Sequence, residues 1–413
     1  YVTSQFYTVG VAPSEMFKDS TEQVSGNDLS TRLQSTLTIN GITDVFLAGA
    51  QDNGTQLLSN KNNSISRGHD VSGGDGAASM FSQNLNKRYF VTNYVYNQYV
   101  DVYSFDTNQL FQINSESTSN GDFITVQALD SKLGVIYSNY TNSGNYEIAA
   151  YYGWDDFKQA DRNTNAPKII LTSAQMLANV SALTVSPFGT DTSTLMVGLE
   201  NGSVFRVENA NSNAAKWTNI SGNEFLGSVS DIEFGVNENE IFVTFHNYAV
   251  KNIFYSSDAG KTWSNKEGDL PDLPVRSVLQ NPIVLNEVII GTDLGIWYTK
   301  NFKDESPTWV QGFNGMSDVR ITDLDLRDDY AVFAATYGRG IYSSYFSSDG
   351  PMLQLNSPES SIKIAQGEEG TFTVKYKVFS GYSSETEFSI TGLPIDTSIE
   401  YIPSKKIEIN ENG

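Results

Sequence analysis

The chain has no cysteine, which excludes both a disulfide scaffold and a thiolate metal site. Histidine is almost missing too. His69 and His246 are the only two, too few for a histidine-built zinc site. Basic residues are sparse, with 26 Lys and Arg against 48 Asp and Glu, so the net charge is −22 and the pI near 4.4. Such a surface repels phosphate backbones, so nucleic acid is not an expected partner. Binding to an anionic membrane surface is disfavoured for the same reason. No stretch of 18 apolar residues occurs, so no segment reads as a membrane-spanning helix. Amphipathic stripes of 3.6-residue period are also lacking, which argues against helical repeats. Tyr1 opens the chain where Met would be expected, as in a piece of a longer, processed precursor.

What is present is aromatic and repetitive. The chain holds 23 Phe and 22 Tyr, ample surface for a packed core, so disorder is not expected. Trp217, Trp263 and Trp309 follow one another at intervals of 46 residues. Alternating apolar strands keep a similar beat, in VSALTVSP from Val180, VSDIEFGV from Val229, VRSVLQNP from Val275 and ITDLDLRD from Ile321. Each is followed by a nearly all-apolar strand, as in LMVGL or EVIIG, which suits a strand covered on both faces. Gly198 and Gly291 close two of these strands, where a side chain would crowd a neighbouring sheet or a central channel. A four-stranded unit repeated about every 40–50 residues is a propeller blade. Four units fill 180–346. Looser strands at 5–12, 44–51, 87–96, 99–105, 123–129, 133–138 and 146–152 supply three more, with 13–43 as an insertion. The expected fold is all-β, a seven-bladed β-propeller over 1–346, with six and eight blades as alternatives.

Residues 256–263 read SSDAGKTW. In such a turn Asp258 accepts hydrogen bonds from nearby N–H groups, Gly260 supplies a positive φ, and Trp263 packs between sheets. Ser256 and Thr262 complete the pattern. The octet resembles the Asp-box (BNR) repeat of sialidases, xyloglucanases of glycoside hydrolase family 74 and sortilin-like receptors. That resemblance implies a rim hairpin, with Asp258 a folding residue and not a catalytic one. Other blades keep the Trp and lose the Asp and Gly, as in ENANSNAAKW and TKNFKDESPTW.

Two acidic, glycine-rich segments are candidates for the ligand site. AGAQDNGTQ carries Asp52 and Asn53, and HDVSGGDGAASM carries His69 and Asp75. Both are similar to segments of large secreted bacterial propeller proteins, including type IX-secreted proteins of Bacteroidetes. In the xyloglucanases two facing propellers each contribute one catalytic Asp, and the resemblance points first to Asp52, then to Asp75. The structural alternative is that both cap tight glycine turns. Tyr337 and Arg339, in TYGRG, are further binding candidates. A sialidase would need three converging arginines, and no spacing singles out three among Arg67, Arg88, Arg206, Arg276, Arg320 and Arg339. No metal site is expected, although calcium on Asp323, Asp325, Asp328 and Asp329 is conceivable. The aromatic runs 92–105 and 145–157 suit either inter-blade packing or a binding platform.

After Phe346 the pattern changes. Gly350-Pro351 marks a boundary, and strand spacing over 351–413 suggests five or six strands of an incomplete Ig-like β-sandwich. The expectation is thus a secreted or cell-surface binding propeller within a larger precursor or surface complex. Its partner would be a polysaccharide or protein at the channel face, with no cofactor. One half of a two-propeller endo-glycosidase, and a structural subunit of a surface complex, are the alternatives.

Overall fold

The structure is a computed structural model that describes residues 5–18, 21–25, 36–40, 44–60, 68–116, 120–142, 144–156, 165–312, 315–316, 318–356 and 362–413. Seven antiparallel sheets succeed one another along the chain, four-stranded in blades 1–6. Blade 7 has three strands among the described residues. The inner strands are Phe6–Val11, Gly76–Phe81, Gln127–Asp130, Val180–Val185, Val229–Phe234, Val275–Gln280 and Ile321–Leu326. Each packs against the next, and the last packs against the first, so the ring closes. This is a seven-bladed β-propeller. The insertion after the first inner strand carries a hairpin, Thr21–Ser25 with Thr36–Asn40.

The second strands are the core. Leu195–Leu199, Ile241–Phe245 and Ala331–Thr336 are buried at every residue. Their terminal glycines face the neighbouring blade. A Cβ on Gly198 would stand 2.5 Å from Val229 Cγ1, and one on Gly291 would stand 2.6 Å from Ile321 Cγ2. Gly49 repeats this in blade 1, 2.1 Å from the Ala77 carbonyl. The indoles tie successive blades together. Trp263 Nε1 donates to Ile220 O at 2.6 Å and Trp309 Nε1 to Lys266 O at 3.1 Å. Both acceptors lie 43 residues back, in the preceding blade.

One regular feature escapes the sequence. The inner strands of blades 1, 4, 5, 6 and 7 each take one extra residue against the second strand: Tyr7, Ser181, Ser230, Arg276 and Thr322. Such bulges re-aim a side chain. All five residues line the central cavity. A second difference concerns 123–129, expected to be a strand throughout. The strand begins only at Gln127, because Thr125 Oγ1 bonds Asp122 O in a turn and Gly121 adopts φ +83°.

The chain divides into two compact units, one of residues 1–282 and 286–345, the other of 283–285 and 346–413. The second unit does not show the expected sandwich. Its described strands form two separate two-stranded ladders, Met352–Asn356 with Lys375–Phe379 and Ser384–Glu387 with Lys406–Ile409. Ile362, Phe372, Ile390 and Ile402 remain exposed, and among the described residues no opposing sheet covers them.

Candidate binding face

Antiparallel order within the blades sorts the loops onto two faces. Turns between second and third strands share one face with the connectors that run from one blade to the next inner strand. Turns between first and second strands, and between third and outer strands, lie on the other.

The first face gathers most of the candidates. Asp52 lies in the turn between Asp44–Ala50 and Gly54–Asn60, and Asp75 in the connector from blade 1 to blade 2. The structure brings them together: Asp52 N donates to Asp75 Oδ1 at 2.8 Å. Asp52 takes φ +58°, a left-handed conformation that Asp and Asn tolerate better than most residues. Gly54 N donates to Gly74 O at 2.7 Å, and a Cβ on Gly76 would stand 2.3 Å from Gly54 O. Backbone packs directly on backbone here, which is why both loops are rich in glycine. Asn53 turns back on its own loop, its Nδ2 donating to Gln51 O at 3.0 Å.

Tyr7 joins this group from the bulge of the first inner strand, its hydroxyl donating to Gln51 Oε1 at 2.9 Å. Its phenol is pushed above the ordinary value by burial, then by Tyr337, Asp75 and Asp52. Tyr337 therefore belongs to the same neighbourhood. It is exposed, with the Arg320 guanidinium 5.4 Å from its ring centre. Arg320 and Arg276 share one carboxylate, Asp293, at 3.1 and 2.6 Å. His246 follows, its imidazole pushed below the usual range by burial and then by Arg276, against the pull of Asp293. Asp293 was not legible as a site residue, since it sits in an ordinary turn, TDLG, and gains its role from Arg276 of an inner-strand bulge and Arg320 of the next connector.

Of the remaining candidates, Arg339 shares this face and the others stand elsewhere. Arg339 is exposed in the turn after Tyr337, with its N–H bonded to Thr336 Oγ1. His69 is buried at the start of the outermost strand of blade 1, opposite Leu57, and burial holds its imidazole low. It is a full strand away from Asp75. Arg88 pairs with Asp106 on the other face, and Arg206 with Glu208 and Glu238. Arg67 lies outside the described residues. No three of the described arginines converge on one point as a sialidase requires.

The Asp-box turn is also on the other face. Asp258 Oδ1 accepts from Thr262 N at 2.9 Å and Ser256 Oγ at 2.8 Å, while Oδ2 accepts from Thr262 Oγ1 at 2.7 Å. Those donors hold its carboxyl down at about 2. Gly260 adopts φ +83° and donates to Ser256 Oγ at 2.9 Å. Trp263 is half-buried against Phe225.

Between the faces runs a cavity of about 660 Å³ lined by the inner strands. Asp231, Glu233, Asp323 and Asp325 line it. Burial raises all four above the ordinary carboxyl range, Asp325 to about 6. Three of them have a structural task. Asp323 Oδ2 accepts from Val9 N at 2.9 Å, Asp325 Oδ2 from Val11 N at 2.8 Å, and Asp231 Oδ2 from Val278 N at 2.9 Å. Each bond binds one inner strand to the edge of the next. Asp328 accepts from Ser14 N at 2.7 Å, and Asp329 pairs with Arg327 at 2.7 Å. Among the described residues no three Asp, Glu or His side chains are grouped to hold an ion.

No family model matches the chain, and no curated protein matches it. Among solved structures, a chain of the "Crystal Structure of Mitotic Checkpoint Complex" is similar at a TM-score of 0.52 and 13% identity. The match covers 81% of this chain and 90% of that one. At that identity the likeness concerns the propeller fold.

Proposed function

We propose that this protein is a non-catalytic binding propeller that recognises its ligand on the face where Asp52, Asp75, Tyr7 and Tyr337 meet. The carrying observation is that gathering: residues from blades 7 and 1 and from the connector into blade 2 converge beside the channel mouth. Propeller folds serve as binding and scaffold modules, and such concave, loop-built surfaces are where ligands meet them. The reading includes a secreted or cell-surface setting, with polysaccharide or protein as the ligand, and places the chain among the Asp-box propellers. The last point is supported by the intact octet at 256–263 and its turn.

The glycosidase reading finds less support. Two carboxylates would have to flank a glycosidic bond. Asp75 is committed to the Asp52 amide, and both acids belong to one pair of packed loops. A glycan array and a hydrolysis screen, run with the protein and its Asp52→Asn variant, test the choice. No turnover, by the protein or by the variant, is the expected result. Turnover that disappears in the variant would overturn the binding reading.

A further inference from the structure

The propeller exposes large apolar side chains on both faces, with Leu85, Tyr152, Phe188, Val236 and Tyr345 on the one that carries the Asp-box turn, but the three most exposed lie on the face described above. Tyr99, Phe123, Leu177, Leu226, Tyr248 and Leu294 all sit in turns or connectors of the face described above, on blades 2 to 6. Leu177 is 71% exposed, and Leu226 and Tyr248 are each 61% exposed. Large apolar groups held in water on one face mark an interaction surface. In blades 2 and 3 they form aromatic pairs, Tyr94 with Tyr99 at 6.1 Å and Tyr96 with Phe123 at 5.6 Å. Tyr94 packs directly on Gly74, beside Asp75, so the aromatic group adjoins the acidic one.

The charge of this face selects the partner. Asp52, Glu200, Glu224, Asp269, Asp272 and Asp318 stand exposed on it. Its exposed cations are Lys251, Arg320 and Arg339, and the first two are already ion-paired, with Glu267 and Asp293. The opposite face mixes both signs, with Lys18, Lys87, Lys132, Lys261 and Lys303 among Glu15, Asp106, Asp156, Asp191, Asp304 and Glu305, whereas acids outnumber cations on this one. Carboxylates beside tyrosine rings favour ammonium and guanidinium groups through both Coulomb attraction and the ring quadrupole.

Resting on the binding-module reading above, we infer that this face takes a cationic polypeptide segment that also carries apolar side chains. Its Lys or Arg groups meet Asp52 beside the Tyr94–Tyr99 pair and the acids Glu224, Asp272 and Asp318 of the later blades, and its apolar groups lie on Leu226, Tyr248 and Leu294 among them.

Titration calorimetry tests this with three short peptides built from Lys and Leu, Glu and Leu, or Ser and Leu, and with cellohexaose. The Lys/Leu peptide binds saturably and more weakly as salt rises. The pairs Leu226→Ser with Tyr248→Ala and Asp52→Asn with Tyr99→Ala each weaken it about tenfold or more. Phe188→Ala with Val236→Ala, exposed residues of the opposite face, leaves it unchanged. Unaltered thermal midpoints show that the variants fold. The inference fails if the Lys/Leu peptide does not bind, or if binding ignores the face and follows net charge alone. Binding of the Ser/Leu peptide or the hexasaccharide, lost in the same face variants, refutes the cationic partner and leaves the binding face standing.

Discussion

Trp309 is 5% exposed, and its indole N–H reaches across a blade boundary to Lys266 O. In Trp309→Phe the ring's apolar contacts with Phe302 largely persist while the carbonyl loses its donor. A buried group left unsatisfied costs about 1–3 kcal/mol. Equilibrium denaturation should show a loss in that range; an unchanged midpoint would mean that the hydrogen bond contributes nothing. The 46-residue spacing of tryptophans is visible in the sequence, and so is their use in packing. The acceptor is not, because a carbonyl of the preceding blade carries no side-chain signature. Asp258 is the opposite case. Every partner it uses lies within four residues, so its turn could be read directly from SSDAGKTW.

At the scale of the strand, Asp323 and Asp325 of the last inner strand take a role that no local pattern encodes. ITDLDL alternates like any half-buried strand, and its Asp residues made calcium ligation conceivable. They instead accept the free amides of the first inner strand, from inside the channel. The double variant Asp323→Asn with Asp325→Asn keeps an acceptor oxygen at each position and removes the charge. Burial places the folded-state pKa of Asp325 at about 6 and that of Asp323 well above the ordinary range, with the Asp325 and Asp231 charges adding to the latter. The unfolded value is about 3.9. Between these limits the folded chain holds protons that the unfolded chain has released, so stability from this pair falls as pH rises. It is fully present below about pH 4 and lost above the folded values. Glu116 runs the other way: burial opposes ionisation, yet bonds from Lys168 and Tyr140 hold its carboxyl low. The variant should therefore be more stable than the parent at pH 7.5, and the gap should shrink toward pH 5. A constant gap across that range, measured by thermal or urea unfolding, would show that the two charges do not matter.

Across the whole molecule, stability depends on how the ring is closed. Blade 7 takes no strand from the start of the chain among the described residues. Closure uses the Asp323 and Asp325 bonds, a bond from Thr322 Oγ1 to Phe6 O at 2.8 Å, and a bridge between Gln5 and Tyr337. On the opposite face Arg327, 2% exposed, locks Asp44 of blade 1 at 2.6 Å and Asp329 at 2.7 Å, over the ring of Phe333. Removing one partner from a buried ion pair costs about 3–5 kcal/mol. Arg327→Ala should lower stability by about that amount, and hydrogen exchange should quicken first in blades 1 and 7. Protection lost evenly around the ring would place the weak point elsewhere.

By itself the sequence determined the repeat, the strand order within each blade, the core glycines at Gly198 and Gly291, and the turn at 256–263. All of these are written in short-range patterns, a period of two within strands and about 46 between blades. It also named Asp52, Asp75 and Tyr337 without saying that they meet. Only the tertiary structure decided that, because Tyr337 comes from the last blade and Asp52 from the first. It likewise decided the closure, where Val9 and Asp323 are 314 residues apart in sequence. Ring closure brings the two ends of the repeat into contact, and no local pattern records which residues will then face each other across the seam.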